Sequence, residues 1–143
     1  MDSQRALLDT SCLVILDRVT GLPAEWRLSA ASLSYGELEW GLQRAKGVKL
    51  ARRHRHIALV KSALGEGLPF DDTCVSAYGL VCHLTEQAGR RPRGRAIDLL
   101  IAAVALRHNA VLLTVNTIDV EHLSDHVKIG RIASTGEFRG FSD

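Results

Sequence analysis

The stretch that decides the fold is AIDLLIAAVALRHNAVLLTVN, residues 96–116. Its first half carries Ile97, Leu100, Ile101, Val104 and Ala105 in helical register, and Asn109 stands where such a helix ends. Its second half, Ala110–Val115, is almost purely apolar, the composition of a strand that a parallel sheet covers on both faces. A helix feeding straight into a doubly buried strand predicts an α/β domain. Two residues break the apolar pattern. Asp98 sits in the first turn of the helix, inside the most apolar part of the chain, and Asn116 follows the strand directly.

Moving towards the N-terminus, Arg5-Ala-Leu-Leu-Asp9 reads as a strand ending at a carboxylate, with Thr10-Ser11 as a turn and Cys12–Leu16 as a short helix. Trp26–Ser32 reads as a second strand, and a helix is predicted from Ser34 to about Lys46, with Ser34-x-x-Glu37 in the form of a capping box. A further helix covers Leu50–Leu64 and is stopped by Gly65 and Gly67. Leu68-Pro69-Phe70 is a brief extended piece, Asp71 or Asp72 an N-cap, and Thr73–Gln87 a helix that Gly89 ends. Arg90-Arg-Pro-Arg-Gly-Arg95 reads as a loop. Beyond the quoted stretch, Val127–Ala133 supplies a last strand and the tail past about residue 136 is expected to be loose. The pattern predicts a single domain over residues 1–143, with a mostly parallel central sheet covered by helices on both faces.

The chain has 143 residues, 46% of them apolar, and 18 Lys+Arg against 16 Asp+Glu give a net charge of +2. A chain of this length buries roughly 68–70% of the surface it exposes when unfolded, enough for a core without metal or disulfide staples. The longest apolar run, Leu99–Leu106, is far short of the ~20 residues of a membrane span. Asp2, Arg5 and Asp9 interrupt the opening residues, so no secretory signal is read there, and the predicted location is the cytoplasm. Cys12, Cys74 and Cys82 form an odd set without C-x-x-C spacing, which predicts reduced thiols used in packing. Neither a G-x-G-x-x-G fingerprint nor a Walker A loop is present, so nucleotide-cofactor binding has no support.

In open parallel sheets the working groups collect at the carboxyl ends of the strands. Asp9 and Asn116 stand at such ends, Asp119 follows one turn later, and Glu37 and Asp98 lie in first turns of helices. Converging carboxylates repel one another and call for protonation or a cation. An all-oxygen donor set suits Mg²⁺ or Mn²⁺ and not zinc. Each residue also has a structural role open to it. Asp9 serves equally as a helix cap, a capping box accounts for Glu37, Asp98 gains from the helix dipole, Asn116 forms turns and Asp119 caps.

Five segments in order resemble the successive signatures of PIN-domain nucleases, specifically the VapC toxins of bacterial toxin–antitoxin pairs: Leu7-Leu-Asp9-Thr-Ser-Cys12, Glu37-Leu-Glu-Trp-Gly41, Leu68-Pro-Phe-Asp71, Ile97-Asp98-Leu-Leu-Ile-Ala-Ala103 and Leu113-Thr114-Val-Asn116. The resemblance covers about residues 5–133. It implies a Mg²⁺- or Mn²⁺-dependent endoribonuclease leaving a 5′-phosphate and a 3′-hydroxyl, held inactive by a VapB-type antitoxin, and forming a homodimer or a toxin–antitoxin hetero-oligomer. Asp9, Glu37 and Asp98 match the family's three acids, Asn116 stands at the fourth acid or its amide replacement, and Thr10 and Thr114 match the small hydroxyl residues that support the site. Two departures stand out: position 116 is a neutral donor, which leaves room for Asp119 to contribute, and Val120 replaces a customary aromatic. Two alternatives are a PIN nuclease that processes RNA without an antitoxin and a non-catalytic, receiver-like metal-binding domain.

Ten of the 18 cationic residues lie in two blocks, Arg44–Arg55 and Arg90–Arg95. The second block leads into the helix of Asp98, so Arg91, Arg93 and Arg95 are predicted to hold RNA against an acidic site that would otherwise repel it. His54 and His56 read as surface residues of a helix and not as ligands. Aromatics make up 5% of the chain and do not interleave with the basic residues in sequence, which disfavours base stacking as the means of recognition. By family analogy, the apolar helices around Leu13–Leu16 and Trp40–Leu42 offer a groove for an antitoxin peptide.

Overall fold

The alternating burial of the first strand sets up two cores. In a computed structural model that describes residues 3–142, strand β1 (Arg5–Leu8) sends Ala6 and Leu8 to one face of the sheet and Leu7 to the other. Strand β3 (Val111–Thr114) does the same with Val111 and Leu113 against Leu112, and all four of its residues are buried. This is the period-2 geometry of a strand with both faces covered. Helices α1 (Thr10–Val14), α2 (Ser32–Gln43) and α3 (Val48–Leu64) supply Leu13, Tyr35 and Val60 to one core. Helices α4 (Val75–Gln87) and α5 (Ala96–Arg107) supply Val81, Leu99, Ile101, Val104 and Ala105 to the other.

Among the described residues five strands form one sheet in the order β2-β1-β3-β4-β5, where β2 is Arg27–Ala30, β4 is Ile129–Ile132 and β5 is Phe138–Phe141. Strands β2, β1, β3 and β4 are parallel, and β5 returns antiparallel on the edge. The molecule is therefore a single α/β domain with helices on both faces, as the periodicity predicts. The strand order reverses between β1 and β3, the position at which such sheets open a crevice for ligands. No helix among the described residues is long and apolar enough to cross a membrane.

Three expectations change. The tail beyond residue 136 is not loose: β5 pairs with β4, and Phe138 and Phe141 pack on Trp26 at ring-centroid distances of 5.7 and 6.0 Å. Residue 143 lies outside the described residues. Second, Ser34 does not open α2. The Ser32 amide donates to the Leu68 carbonyl (2.9 Å), the helix starts at Ser32 behind Ala31, and Ser34 is already inside it, buried and with its hydroxyl unpartnered. Gly67 permits this early start, because a Cβ there would lie 2.7 Å from the Ser32 Cα. Third, the 90–95 segment is not all loop, since Pro92–Arg95 forms a 3-10 turn that runs into α5. Cys12 and Cys74 are buried and Cys82 packs against a core, so the three thiols are packing groups.

Candidate active site

Asp9 is fixed first by local geometry. It caps α1, and its Oδ1 accepts from the Cys12 amide at 3.1 Å and from the Ser11 hydroxyl at 2.5 Å. Its own amide donates to the Leu113 carbonyl of β3 (3.0 Å), and the Ser11 oxygen accepts from the Val115 amide (3.1 Å). The Cys12 thiol donates to the same Leu113 carbonyl at 3.4 Å. The end of β1 is thereby stitched to the end of β3 at the point where the strand order reverses. Cap and candidate ligand are thus not alternatives for Asp9: the first role aims the residue for the second.

Glu37 approaches from the neighbouring helix. With Ser34 inside α2 no capping box forms, and the Glu37 Oε1 instead accepts from the Thr10 hydroxyl at 2.5 Å. Asp98 comes from the first turn of α5 and has no hydrogen-bond partner among the described residues. Beyond β3, the Asn116 amide donates to the Thr114 hydroxyl (3.0 Å), and the 3-10 turn Thr117–Asp119 carries Asp119 back towards α5, where it pairs with Arg95. Asp9, Thr10, Glu37, Asp98, Thr114, Asn116 and Asp119 all line one cavity of about 110 Å³, closed below by Ile101, Leu112 and Val120. The structure therefore brings together every acid and hydroxyl singled out in the sequence. Val120, where an aromatic is customary in the resemblance, is buried and part of that floor.

The electrostatics follow from this crowding. Burial pushes the Asp9 carboxyl above its ordinary range, and its bonds to Ser11, Thr114 and Cys12 pull it only part of the way back. Desolvation also raises Asp98, helped by the negative charges of Asp9, Asp119 and Glu37, while Arg95 opposes them. Four carboxylates and an asparagine lining one cavity are a set of hard oxygen donors with excess negative charge, which fits a divalent cation of the Mg²⁺ class in chemistry and sign. Three of the four carboxylates are engaged by protein partners, and among the described residues no three His, Cys, Asp or Glu side chains are gathered closely enough to hold one ion.

Sequence reasoning passes over Ser11, which both orients Asp9 and ties it to β3. Its signal is only its place two residues after Asp9, the spacing of a hydroxyl that folds back on a carboxylate in a turn. The basic residues divide. Arg91 and Arg93 are exposed, whereas Arg95 is committed to Asp119 and Arg90 donates to the Ile118 carbonyl. In the other block the Arg53 Nη1 donates to the Gly41 carbonyl (2.6 Å), and the Arg44 guanidinium stacks 4.5 Å from the centre of the Trp40 ring. Folding therefore places an aromatic among the cations where the linear order does not. Trp40 is 62% exposed and separates two grooves that both reach Glu37.

A family model described as PIN domain matches residues 6–122. No curated protein matches the chain. Among solved structures it is similar to VapBC-5 from Mycobacterium tuberculosis, a member of the VapBC family of toxin–antitoxin systems, at 25% identity and a TM-score of 0.71 over 90% of this chain and 98% of that one. It is similar at 26% identity to VapBC-1 from nontypeable Haemophilus influenzae, with a TM-score of 0.70 over 87% and 96% of the two chains. VapBC2 from Rickettsia felis, bound to a DNA fragment from its promoter, shares the fold at 22% identity and a TM-score of 0.71, over 88% of this chain and 97% of that one.

Proposed function

This chain belongs to the PIN-domain family, and we propose that it is a divalent-metal-dependent endoribonuclease acting as the toxin of a VapBC-type toxin–antitoxin pair. The observation that carries the reading is the single cavity at the β1/β3 reversal, into which Asp9, Glu37 and Asp98 converge from three separate elements. The family replaces a receiver-like domain as the frame for that cavity. The likeness to VapBC-5 and VapBC-1, over nearly the whole length of both, supports the toxin assignment and a VapB-type partner.

In this reading Asp9, Glu37, Asp98 and Asn116 are the oxygen donors that would draw in around Mg²⁺ or Mn²⁺, with Asp119 as a further donor, since no three of these acids stand close enough to hold one ion in its absence. The ion, when bound, supplies Lewis-acid activation of water and neutralises charge on the phosphoryl group. The chain supplies orientation. Ser11, Thr114 and the Cys12 amide fix the Asp9 carboxylate, and Thr10 fixes that of Glu37. Ile101, Leu112 and Val120 keep the floor apolar, which strengthens every charge interaction above it. The exposed Arg91 and Arg93 offer guanidinium groups to the RNA backbone, offsetting the repulsion between phosphates and an acidic cavity. The grooves on either side of Trp40, lined by Val14, Leu38 and Ile57 on one side and Leu33 and Phe70 on the other, are the proposed seat of the antitoxin peptide.

Replacing Asp98 by Asn keeps the shape and removes the charge. RNA cleavage with Mg²⁺ or Mn²⁺ should fall by roughly 100-fold or more, the scale of deleting an electrostatic group at a reacting centre. Near-normal cleavage by this variant, with an EDTA control, overturns the proposal. Expression alone should arrest growth, and co-expression of a neighbouring small protein should relieve it. Harmless expression of active enzyme would leave a nuclease without the toxin role.

A further inference from the structure

This inference rests on the metal-dependent reading above and concerns Arg95, the last residue of the turn that opens α5. Its Nη1 donates to the Asp119 Oδ1, and the two side chains are 33% and 38% exposed. Arg90, from the same basic segment, donates to the carbonyl of Ile118, the residue before Asp119. The Thr117–Asp119 turn is thus fastened at two adjacent residues, once through its backbone and once through the carboxylate. An ion pair this open to water adds little to stability. Its larger effect is local: it places one positive charge against Asp119 and, through space, against Asp98, and it occupies an oxygen that a cation would use.

We propose that Arg95 is a positioning residue that holds Asp119 out of the ligand set. A divalent ion gains the Asp119 Oδ1 by displacing the Arg95 guanidinium, which is then released for a phosphodiester. The resting site accordingly offers Asp9, Glu37 and Asp98, and Asp119 is a conditional fourth acid. The neutral donor at Asn116 makes that condition consequential, because the β3 end contributes no carboxylate of its own.

The test is calorimetric titration of Mn²⁺ into the full chain, with no RNA present, for the wild type, Arg95→Gln, Arg95→Lys, Asp119→Asn and the Arg95→Gln/Asp119→Asn double variant. Arg95→Gln should bind Mn²⁺ about tenfold more tightly, because an opposing unit charge is gone and Asp119 is free. Arg95→Lys, which keeps the charge, should stay close to the wild type. Asp119→Asn should weaken binding several-fold more in the Arg95→Gln background than in the wild type, a coupling that a purely structural arginine does not produce. Circular dichroism checks the fold, and Arg95→Met replaces Arg95→Gln should the latter fail to fold. Binding by Arg95→Gln no tighter than wild type, or equal costs of Asp119→Asn in both backgrounds, overturns the proposal while the metal site stands. Absence of Mn²⁺ binding in every variant overturns both.

Discussion

Asp98 shows what a single residue contributes when its neighbours work against it. Its carboxyl is held above the ordinary value of 3.8 by desolvation and by Asp9, Asp119 and Glu37. A group whose folded-state pKa is raised contributes stability only while it is protonated in the folded chain, and that contribution is lost as pH rises through the folded value. Without metal, the ionised site is therefore a cost at neutral pH. The metal-free protein should become more stable as pH is lowered from neutrality towards the carboxylate range, before general acid denaturation intervenes. Asp98→Asn should raise the metal-free melting temperature at pH 7.5 and flatten this dependence, leaving the share due to Asp9, whose carboxyl is raised by burial. Melting curves in EDTA across this range check both; a variant less stable than wild type at pH 7.5 contradicts the account. Under the proposed activity, the residue whose replacement should abolish cleavage is thus one whose loss should stabilise the fold, the expected balance at a site built from repulsion.

Elements were legible in the sequence to the extent that their own periodicity specified them. The helix around Leu99–Ala105 and the strand Val111–Thr114 are written in their apolar pattern, and Asp71 accepts from the Thr73 amide as its composition suggests (3.0 Å). Where a distant segment decides, local pattern falls short. The start of α2 is set by Leu68 crossing to Ser32, so the Ser34-x-x-Glu37 spacing misleads about the cap and conceals the reach of Glu37 to Thr10. Strand β5 is four residues with a glycine inside, and only Trp26, more than a hundred positions away, reveals that its phenylalanines are anchors. Asp98 was visible because a carboxylate is unusual in so apolar a stretch, and the other acids because they stand at strand ends and helix starts in an order that resembles the family. The Arg95–Asp119 pair was not, because pairing between two surface turns leaves no mark in either one. The anchor role of β5 is testable: Phe138→Ala should cost about 2 kcal/mol in urea unfolding, below the ~3–5 kcal/mol of a fully buried phenylalanine because the ring is only partly buried. A change below a few tenths of that would make β5 an ornament of the edge.

At the scale of the whole molecule, a net charge of +2 hides two opposed surfaces. The cavity gathers four carboxylates, while Arg91 and Arg93 stand exposed on the segment that leads into it. Under the proposed activity, affinity for single-stranded RNA should fall with salt, and Arg91→Gln/Arg93→Gln should reduce the log–log slope by about 1.4, from ~0.7 per phosphate contact. An unchanged slope would place the RNA path elsewhere.

The strand order carries a consequence in time. Ser11 and Val115, 104 residues apart in the chain, are hydrogen-bonded neighbours beside the cavity, because the third strand made is laid beside the first. Contacts of such separation wait for the intervening chain to exist. No polypeptide that stops short of Asp119 contains the full set of groups. Under the proposed activity, a ribosome that has not yet delivered Asp119 is handling an incomplete and therefore harmless product, and the danger to RNA begins only once that residue and the strand before it have been made.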